Sequence, residues 1–115
     1  MAGERGPSMA EMITTGVWVV DEGSQAAFLD AWTAFARWAS SMDGASTLRL
    51  GRDTGDPGRF VSFGAWDSPE LVHAWKGRGE FRERIGQVLQ HVAEFHPAEL
   101  DVVASASDGV GGPAS

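Results

Sequence analysis

The stretch WDSPELVHAW, residues 66–75, concentrates side chains that could hold or activate an aromatic molecule. Trp66 and Trp75 can stack on a planar ring, and His73 between them carries an imidazole, the side chain that most often acts as a general base, here for a phenol. Ser62, four residues before Trp66, could donate a hydrogen bond to a phenol or carbonyl oxygen. At about 100° per residue of a helix, however, His73 points away from Leu71 and Trp75, so the pattern favours an exposed histidine.

Both tryptophans also have a purely structural interpretation. Trp66 could anchor a strand to a helix within the core. Trp75 shares a helical face with Leu71 and Val72, which favours core packing.

Small residues alternate with indoles on two predicted strands. Gly16 is followed by Trp18, and Ser62 and Gly64 are followed by Trp66, each set on one face of its strand. Glycine inside a strand costs about 0.5–1 kcal/mol relative to alanine. The pattern therefore predicts either a cavity with aromatic walls or a close approach of helices to the sheet.

Basic groups that could stabilise an anion lie on a predicted long helix. Arg82, Arg84 and His91 flank its apolar stripe, where they could either line the rim of a pocket or lie over the core. His91 and His96 are five residues apart, whereas i, i+4 spacing would align two ligands on a helix, so we predict no metal site. Cysteine and tyrosine are absent, which excludes thiolate chemistry and a phenolic acid.

Length and charge limit the class of protein. A chain of 115 residues predicts one domain, and a net charge of −7 with Lys76 as the sole lysine argues against a nucleic-acid partner. No apolar run is long enough to span a membrane, and the first residues lack the apolar segment of a signal peptide. We expect a cytoplasmic protein without a cofactor.

The elements that must position these residues follow from periodicity and turn signals. We predict a strand at 13–20, a helix at 24–41 with Phe28, Trp32, Phe35, Ala36 and Ala39 on one face, and a strand around 48–50. Further along we predict a turn at 52–58, a strand at 59–66, a helix begun by Ser68-Pro69-Glu70, a longer helix ended by Pro97, and a strand at 100–104.

The order β-α-β-β-α-α-β predicts an α+β, ferredoxin-like split βαβ fold with a four-stranded antiparallel sheet over residues 12–104. Residues 1–11 and 105–115 are predicted to be disordered tails. Both faces of the third strand carry apolar groups, Trp66 on one and Val61, Phe63 and Ala65 on the other, and a single layer of helices can cover only one face of the sheet. We therefore predict a homodimer formed through the sheet face, a dimeric α+β barrel.

The run FVSFGAWDSPELVHAW, followed by GEFRERI, resembles the antibiotic biosynthesis monooxygenase family over about residues 13–103. The marks are Trp-x-Ser-x-Glu at 66–70, the second tryptophan at Trp75, and Asp43-Gly44 before the second strand. The resemblance implies a dimeric α+β barrel. The same frame carries quinone-forming oxygenases, haem degraders and isomerases.

The quinone-forming oxygenases line their pocket with asparagine, tryptophan, tyrosine and arginine. Trp66 matches the tryptophan, but Ser62 and Val72 stand at the asparagine and tyrosine, and the arginine falls near Gly86, close to Arg82 and Arg84. In the haem-degrading branch Trp75 matches the tryptophan, while Gly16 and Ile85 stand at or near the asparagine and histidine. Neither catalytic set is complete.

The resemblance thus favours a cofactor-independent monooxygenase acting on an aromatic, polyketide-like anthrone or hydroquinone. A non-redox cyclase or isomerase, or a non-catalytic dimeric protein that binds a hydrophobic ligand, remain alternatives. The candidate catalytic residues are Ser62, Trp66, His73 and Arg82. The candidate substrate-binding residues are Gly16, Trp18, Gly64, Val72, Trp75, Arg84 and His91.

Overall fold

A computed structural model describes residues 11–106 of the protein. Its strands and α-helices are β1 (Met12–Val19), α1 (Gln25–Ser40), β2 (Ala45–Asp53), β3 (Asp56–Trp66), α2 (Pro69–Lys76), α3 (Gly79–Leu89) and β4 (Glu94–Asp101), and a short 3-10 helix, Glu22–Ser24, precedes α1. The predicted tails lie outside the described residues except for Glu11, Ser105 and Ala106. None of the described helices is long and apolar enough to cross a membrane.

The strands form one antiparallel sheet in the order β2-β3-β1-β4. This is the ferredoxin-like α+β topology that the sequence predicts, and the prediction is confirmed. In the middle of the sheet, Gly16 on β1 lies opposite Ser62 on β3 and Pro97 on β4. The row of small residues therefore occupies the centre of the sheet.

The alternation of β1 separates the two faces of the sheet. Met12, Thr14, Gly16 and Trp18 are buried beneath the helices, whereas the residues between them are only half-buried on the opposite face. The core lies between the helices and the first of these faces, and its most deeply buried large side chains are Trp18, Phe28, Phe60, Trp66, Val72 and Val88. The described helices therefore leave the second face of the sheet uncovered.

Helix α1 buries the apolar stripe that its sequence predicts. Its buried residues are Phe28, Trp32, Phe35, Ala36 and Ala39. Spacing of three and four residues places them on one side of the helix, against the sheet and α3. The predicted amphipathic helix is confirmed.

The corner between β3 and α2 is closed by a helix cap. The Oγ of Ser68 accepts a hydrogen bond from the backbone N–H of Leu71 at 3.3 Å, and Pro69 occupies the first helical turn, where its missing N–H has no intrahelical role. Glu70 lies in the same turn, at the positive end of the helix dipole. The predicted helix start is confirmed.

The chain after α3 differs from the prediction. Helix α3 ends at Leu89, and Pro97 lies inside β4 instead of ending a helix; the last strand is Glu94–Asp101, not 100–104. The physical reason is that β4 pairs only with β1, at the edge of the sheet. An edge strand has one unpaired side and tolerates a proline, which cannot donate to a ladder.

The hairpin between β2 and β3 is also tighter than predicted. Pairing continues to Asp53 opposite Asp56, so the turn is confined to Thr54 and Gly55 instead of spanning 52–58. Asp53 accepts a hydrogen bond from the N–H of Gly55 at 2.8 Å and pairs with Arg59 at 3.0 Å. These contacts lower the pKa of the Asp53 carboxyl, and the hydrogen bond from the Gly55 N–H contributes most.

Candidate functional site

A cavity of about 220 Å³ lies between the helix-covered face of the sheet and the helices. Strand β1, with β3 beside it, supplies the floor, and Phe81, Ile85 and Leu89 of α3, spaced by four residues, supply part of the wall. Most of its surface is apolar. Its aromatic side chains include Trp18, Trp32, Phe35, Trp75, Phe81 and Phe95.

The glycine at the centre of the sheet makes room for a polar contact on the cavity floor. A Cβ on Gly16 would lie 3.0 Å from both Ser62 Oγ and Trp18 Nε1, and 2.9 Å from Phe95 Cε1. In the space that remains, Trp18 Nε1 donates to Ser62 Oγ at 2.9 Å, and the Trp18 ring stacks on Phe95 with 4.1 Å between centroids. The close approach is therefore between side chains of the sheet itself, and it helps to shape the cavity.

The hydroxyl of Ser62 can donate a hydrogen bond to a ligand. Its hydroxyl accepts from Trp18, and its nearest acceptor is the Gly16 carbonyl at 3.5 Å, which is long for an O–H···O bond. A ligand oxygen at normal distance would be the better acceptor. Ser62, Gly16, Trp18 and Gly64 all line the cavity, as does Trp75.

Trp66 lies behind the cavity wall. Its side chain is buried and does not line the cavity; it stacks on Trp75 with 4.6 Å between centroids and donates from Nε1 to Thr14 Oγ1 at 3.1 Å. Both partners of Trp66 do line the cavity. The position of Trp66 in the structure is therefore that of a support for the wall.

Trp75 forms the wall in front of Trp66. Phe81 meets it edge-on at 4.8 Å and Phe35 packs at 5.8 Å, so the ring is held from several sides. Its N–H is buried and has no acceptor among the described residues. A buried donor without a partner costs about 1–3 kcal/mol, a cost that a ligand oxygen reaching it would offset.

Sequence reasoning did not select Lys76, which is the only charged residue among those that line the cavity in the described chain. Its Nζ lies 2.8 Å from Glu99 Oε2 on β4, and His73 Nε2 lies 3.5 Å from the other oxygen of the same carboxylate. The hydrogen bond from Lys76 is the main cause that lowers the pKa of Glu99. The available signal was that the sole lysine directly follows Trp75.

The remaining predicted site residues lie away from the cavity. His73 is 68% exposed, Arg82 is exposed, and Val72 is fully buried in the core. Arg84 pairs with Glu80 at 3.4 Å and lies over Trp38 of α1, with its guanidinium carbon 5.2 Å from the ring centroid.

His91, which follows the end of α3, is half-buried and does not line the cavity. The side of α3 that faces the cavity carries Phe81, Ile85 and Leu89. Arg82 and Arg84 therefore lie on other sides of the helix. Within residues 11–106, no group of three or more histidine or acidic side chains is placed to hold a metal ion.

The arrangement is suited to holding a planar aromatic molecule that carries an oxygen. Indole and phenyl rings can stack on its faces, the Ser62 hydroxyl can donate to a carbonyl or phenolate, and Lys76 supplies positive charge. Apolar walls strengthen such polar contacts because they exclude water.

Comparison with known proteins gives a family and a fold. A family model described as antibiotic biosynthesis monooxygenase matches residues 12–98. No protein with a curated description matches the sequence. Solved structures from several organisms share the fold at low sequence identity.

One is SnoaB from Streptomyces nogalater, described as a cofactor-independent oxygenase, at 12% identity and a TM-score of 0.74, covering 84% of this chain and 96% of that one. Another is Rv0793 from Mycobacterium tuberculosis, at 15% identity and a TM-score of 0.73, covering 84% of this chain and 99% of that one. A third is a conserved protein from Methanosarcina mazei Go1, at 11% identity and a TM-score of 0.73, covering 81% of this chain and 93% of that one. The family match spans most of the chain, and the chain therefore belongs to the antibiotic biosynthesis monooxygenase family.

Proposed function

We propose that the protein is a cofactor-independent monooxygenase that oxidises a hydroquinone- or anthrone-type aromatic compound in this cavity. The observation that carries the proposal is the cavity itself, with the Trp75 indole at its wall, backed by Trp66, and the Ser62 hydroxyl on its floor. The family match and the fold shared with SnoaB support it.

The size of the cavity favours a small substrate. Pockets for drug-sized ligands usually measure about 300–1,000 Å³, and an apolar cavity of about 150 Å³ accommodates benzene. A cavity of about 220 Å³ suits one aromatic ring or two fused rings. A three-ring anthrone would extend beyond it, so a hydroquinone of one or two rings is the preferred substrate class.

In the proposed reaction the substrate is its own reductant. The ionised substrate passes an electron to dioxygen, and the resulting radicals combine to form a carbon hydroperoxide. The carbon that takes up oxygen carries a hydrogen, so loss of water from the hydroperoxide leaves a carbonyl at that carbon, and the second oxygen atom leaves in the water. An anthrone gives an anthraquinone in this way, and a hydroquinone gives a hydroxyquinone. The protein's part is to orient the ring against the aromatic lining of the cavity, to donate from Ser62 to the ring oxygen, and to exclude bulk water.

A second candidate function is binding of the same kind of ligand without chemistry. The observation that favours it is that the described cavity lining contains no histidine or carboxylate that could act as a general base. In that case the indoles would serve recognition alone.

We also propose that two copies of the chain associate through the open face of the sheet. On that face Phe63 and Leu100 are each 46% exposed, and Ile13, Val17 and Val61 alternate with the buried positions. An apolar surface of this kind on an otherwise charged protein is typical of an interface. A second copy of the same sheet is the occupant we propose.

The experiment for the oxygenase is dioxygen uptake with a naphthohydroquinone, measured against a blank without protein because such compounds autoxidise. Leu89→Trp places a large ring at the cavity wall, and Gln87→Trp adds the same ring to the exposed side of α3. We expect uptake above the blank in the natural protein and in Gln87→Trp. In Leu89→Trp we expect a loss of about tenfold or more, since lost positioning costs at least that much.

Uptake equal to the blank in the natural protein would contradict oxygenation of this substrate class. If the compound nevertheless binds, and binds more weakly to Leu89→Trp than to Gln87→Trp, the binding function would stand instead. Uptake that is the same in all three proteins would place the reaction outside this cavity.

A further inference from the structure

We propose that Lys76 determines which ligands this cavity takes, by pairing its ammonium group with an ionised oxygen of a phenol or enol. The cavity then binds acidic hydroxyaromatic compounds as their anions and releases the hydroxyl proton to the solvent. The inference rests on the proposed location of the ligand, and it names a residue and a substrate class for that site.

Position is the first argument for Lys76. It is the last residue of α2 and directly follows Trp75, so the same helix end supplies a stacking ring and a cation to one cavity. The Lys76 side chain is 29% exposed, so most of its stem is covered, while its hydrogen bond to Glu99 is solvent-exposed. Among the described lining residues it is the only charged one.

Charge balance is the second argument. Glu99 Oε2 accepts from Lys76 Nζ at 2.8 Å, and this bond is the main reason that the pKa of Glu99 is lowered. Glu99 also lies 3.5 Å from His73, so a second basic group is already beside the carboxylate. If Lys76 also pairs with a bound anion, Glu99 therefore still has His73 beside it as a second basic partner.

The remaining groups at the cavity do not offer this charge. Ser62, Thr14 and Trp75 supply neutral hydroxyl and indole groups. Arg84 does not line the cavity and is directed to Glu80 and Trp38. A neutral donor stabilises an oxyanion less than an ammonium does. Selection of the ionised form thus depends on Lys76.

The probe for this proposal is 4-nitrophenol, whose phenol and phenolate differ in absorbance and which does not autoxidise. Its neutral counterpart is 4-nitroanisole, which has no proton to lose. We expect the natural protein to lower the pKa of bound 4-nitrophenol by about one unit or more, as an opposite charge at contact distance does. Phenolate then binds about tenfold more tightly than it would without the lysine.

Variants of Lys76 and Glu99 are expected to change the pKa shift of bound 4-nitrophenol in opposite directions. Lys76→Met keeps the apolar stem and should abolish the shift while leaving 4-nitroanisole affinity unchanged. Lys76→Arg should retain the shift. Glu99→Gln removes the competing carboxylate and should enlarge the shift, which a merely structural role for the pair would not produce. Circular dichroism and thermal unfolding verify that each variant is folded.

Three results would overturn the assignment of Lys76: a shift that persists in Lys76→Met, equal affinity for 4-nitrophenol and 4-nitroanisole without any shift, or no binding of either compound to the natural protein. The last would remove the ligand site as well. Dioxygen uptake is scored separately. A lowered pKa of bound 4-nitrophenol without dioxygen uptake from the naphthohydroquinone would support the role of Lys76 and contradict the oxygenase function.

Discussion

At the scale of single residues, the packing at the centre of the sheet depends on the absence of a side chain at position 16. Gly16 lets Trp18 lie across its neighbour strand, bond to Ser62 at 2.9 Å and stack on Phe95. These contacts fix both the floor of the cavity and the orientation of Ser62. A methyl group at this position would compete with all of them at about 3 Å or less.

Gly16→Ala is therefore expected to lower the free energy of unfolding by about 1–3 kcal/mol, the usual range for overpacking a filled site. Gly86→Ala is the matched control, because Gly86 lies within α3 and a Cβ there meets nothing within 4 Å. That exchange should stabilise the protein by about 0.5–1 kcal/mol. Urea denaturation measures both values, and equal stabilities for the two variants would contradict the crowding at Gly16.

At the scale of elements, the short helix α2 connects the sheet to the site. It places Val72 in the core, Trp75 in the cavity wall and Lys76 beside Glu99. A helix this short gains little from propensity alone, so its start and its buried face must define it. The start is defined by Ser68, whose hydroxyl accepts from Leu71 N–H.

Ser68→Ala should cost about 1 kcal/mol of unfolding free energy through the loss of this cap. Ser24→Ala is the control, since Ser24 stands in the same position before α1 but makes no capping hydrogen bond with its side chain. Its exchange should change stability by less than about 0.5 kcal/mol. Thermal and urea unfolding of both variants compare the two serines directly, and a larger loss in Ser24→Ala would refute the role given to the cap.

At the scale of the whole molecule, the described helices cover one face of the sheet and leave apolar groups on the other. Phe63 lies at the middle of this open face, opposite Arg49 on β2. A carboxylate at position 63 could pair with Arg49 in a monomer but would be costly between two sheets.

Phe63→Glu should therefore convert a dimer to a folded monomer, measured by sedimentation velocity at several concentrations. Thr33→Glu, which adds the same charge to the exposed side of α1, should sediment as the natural protein does. If Phe63→Glu keeps the natural sedimentation coefficient, the open face is not the interface. A natural protein that is monomeric at all concentrations would lead to the same conclusion.

Much of the fold could be predicted because it depends on short-range patterns. The alternation of β1, the apolar stripe of α1 and the Ser68-Pro69 helix start each lie within a few residues, and all are found in the structure. The last strand could not be predicted in this way. Pro97 is compatible with a strand only because β4 lies at the edge of the sheet, and edge position is a property of the whole topology.

The sequence by itself thus determined the family, the order of elements and the row of small residues beside indoles. Tertiary structure alone decided which side chains meet in the cavity. Trp66 turns behind Trp75, and Lys76 meets Glu99 from another element, 23 residues away. Periodicity specifies the face of an element on which a residue lies, but not its neighbours there, because those depend on how helices and strands distant in sequence pack together.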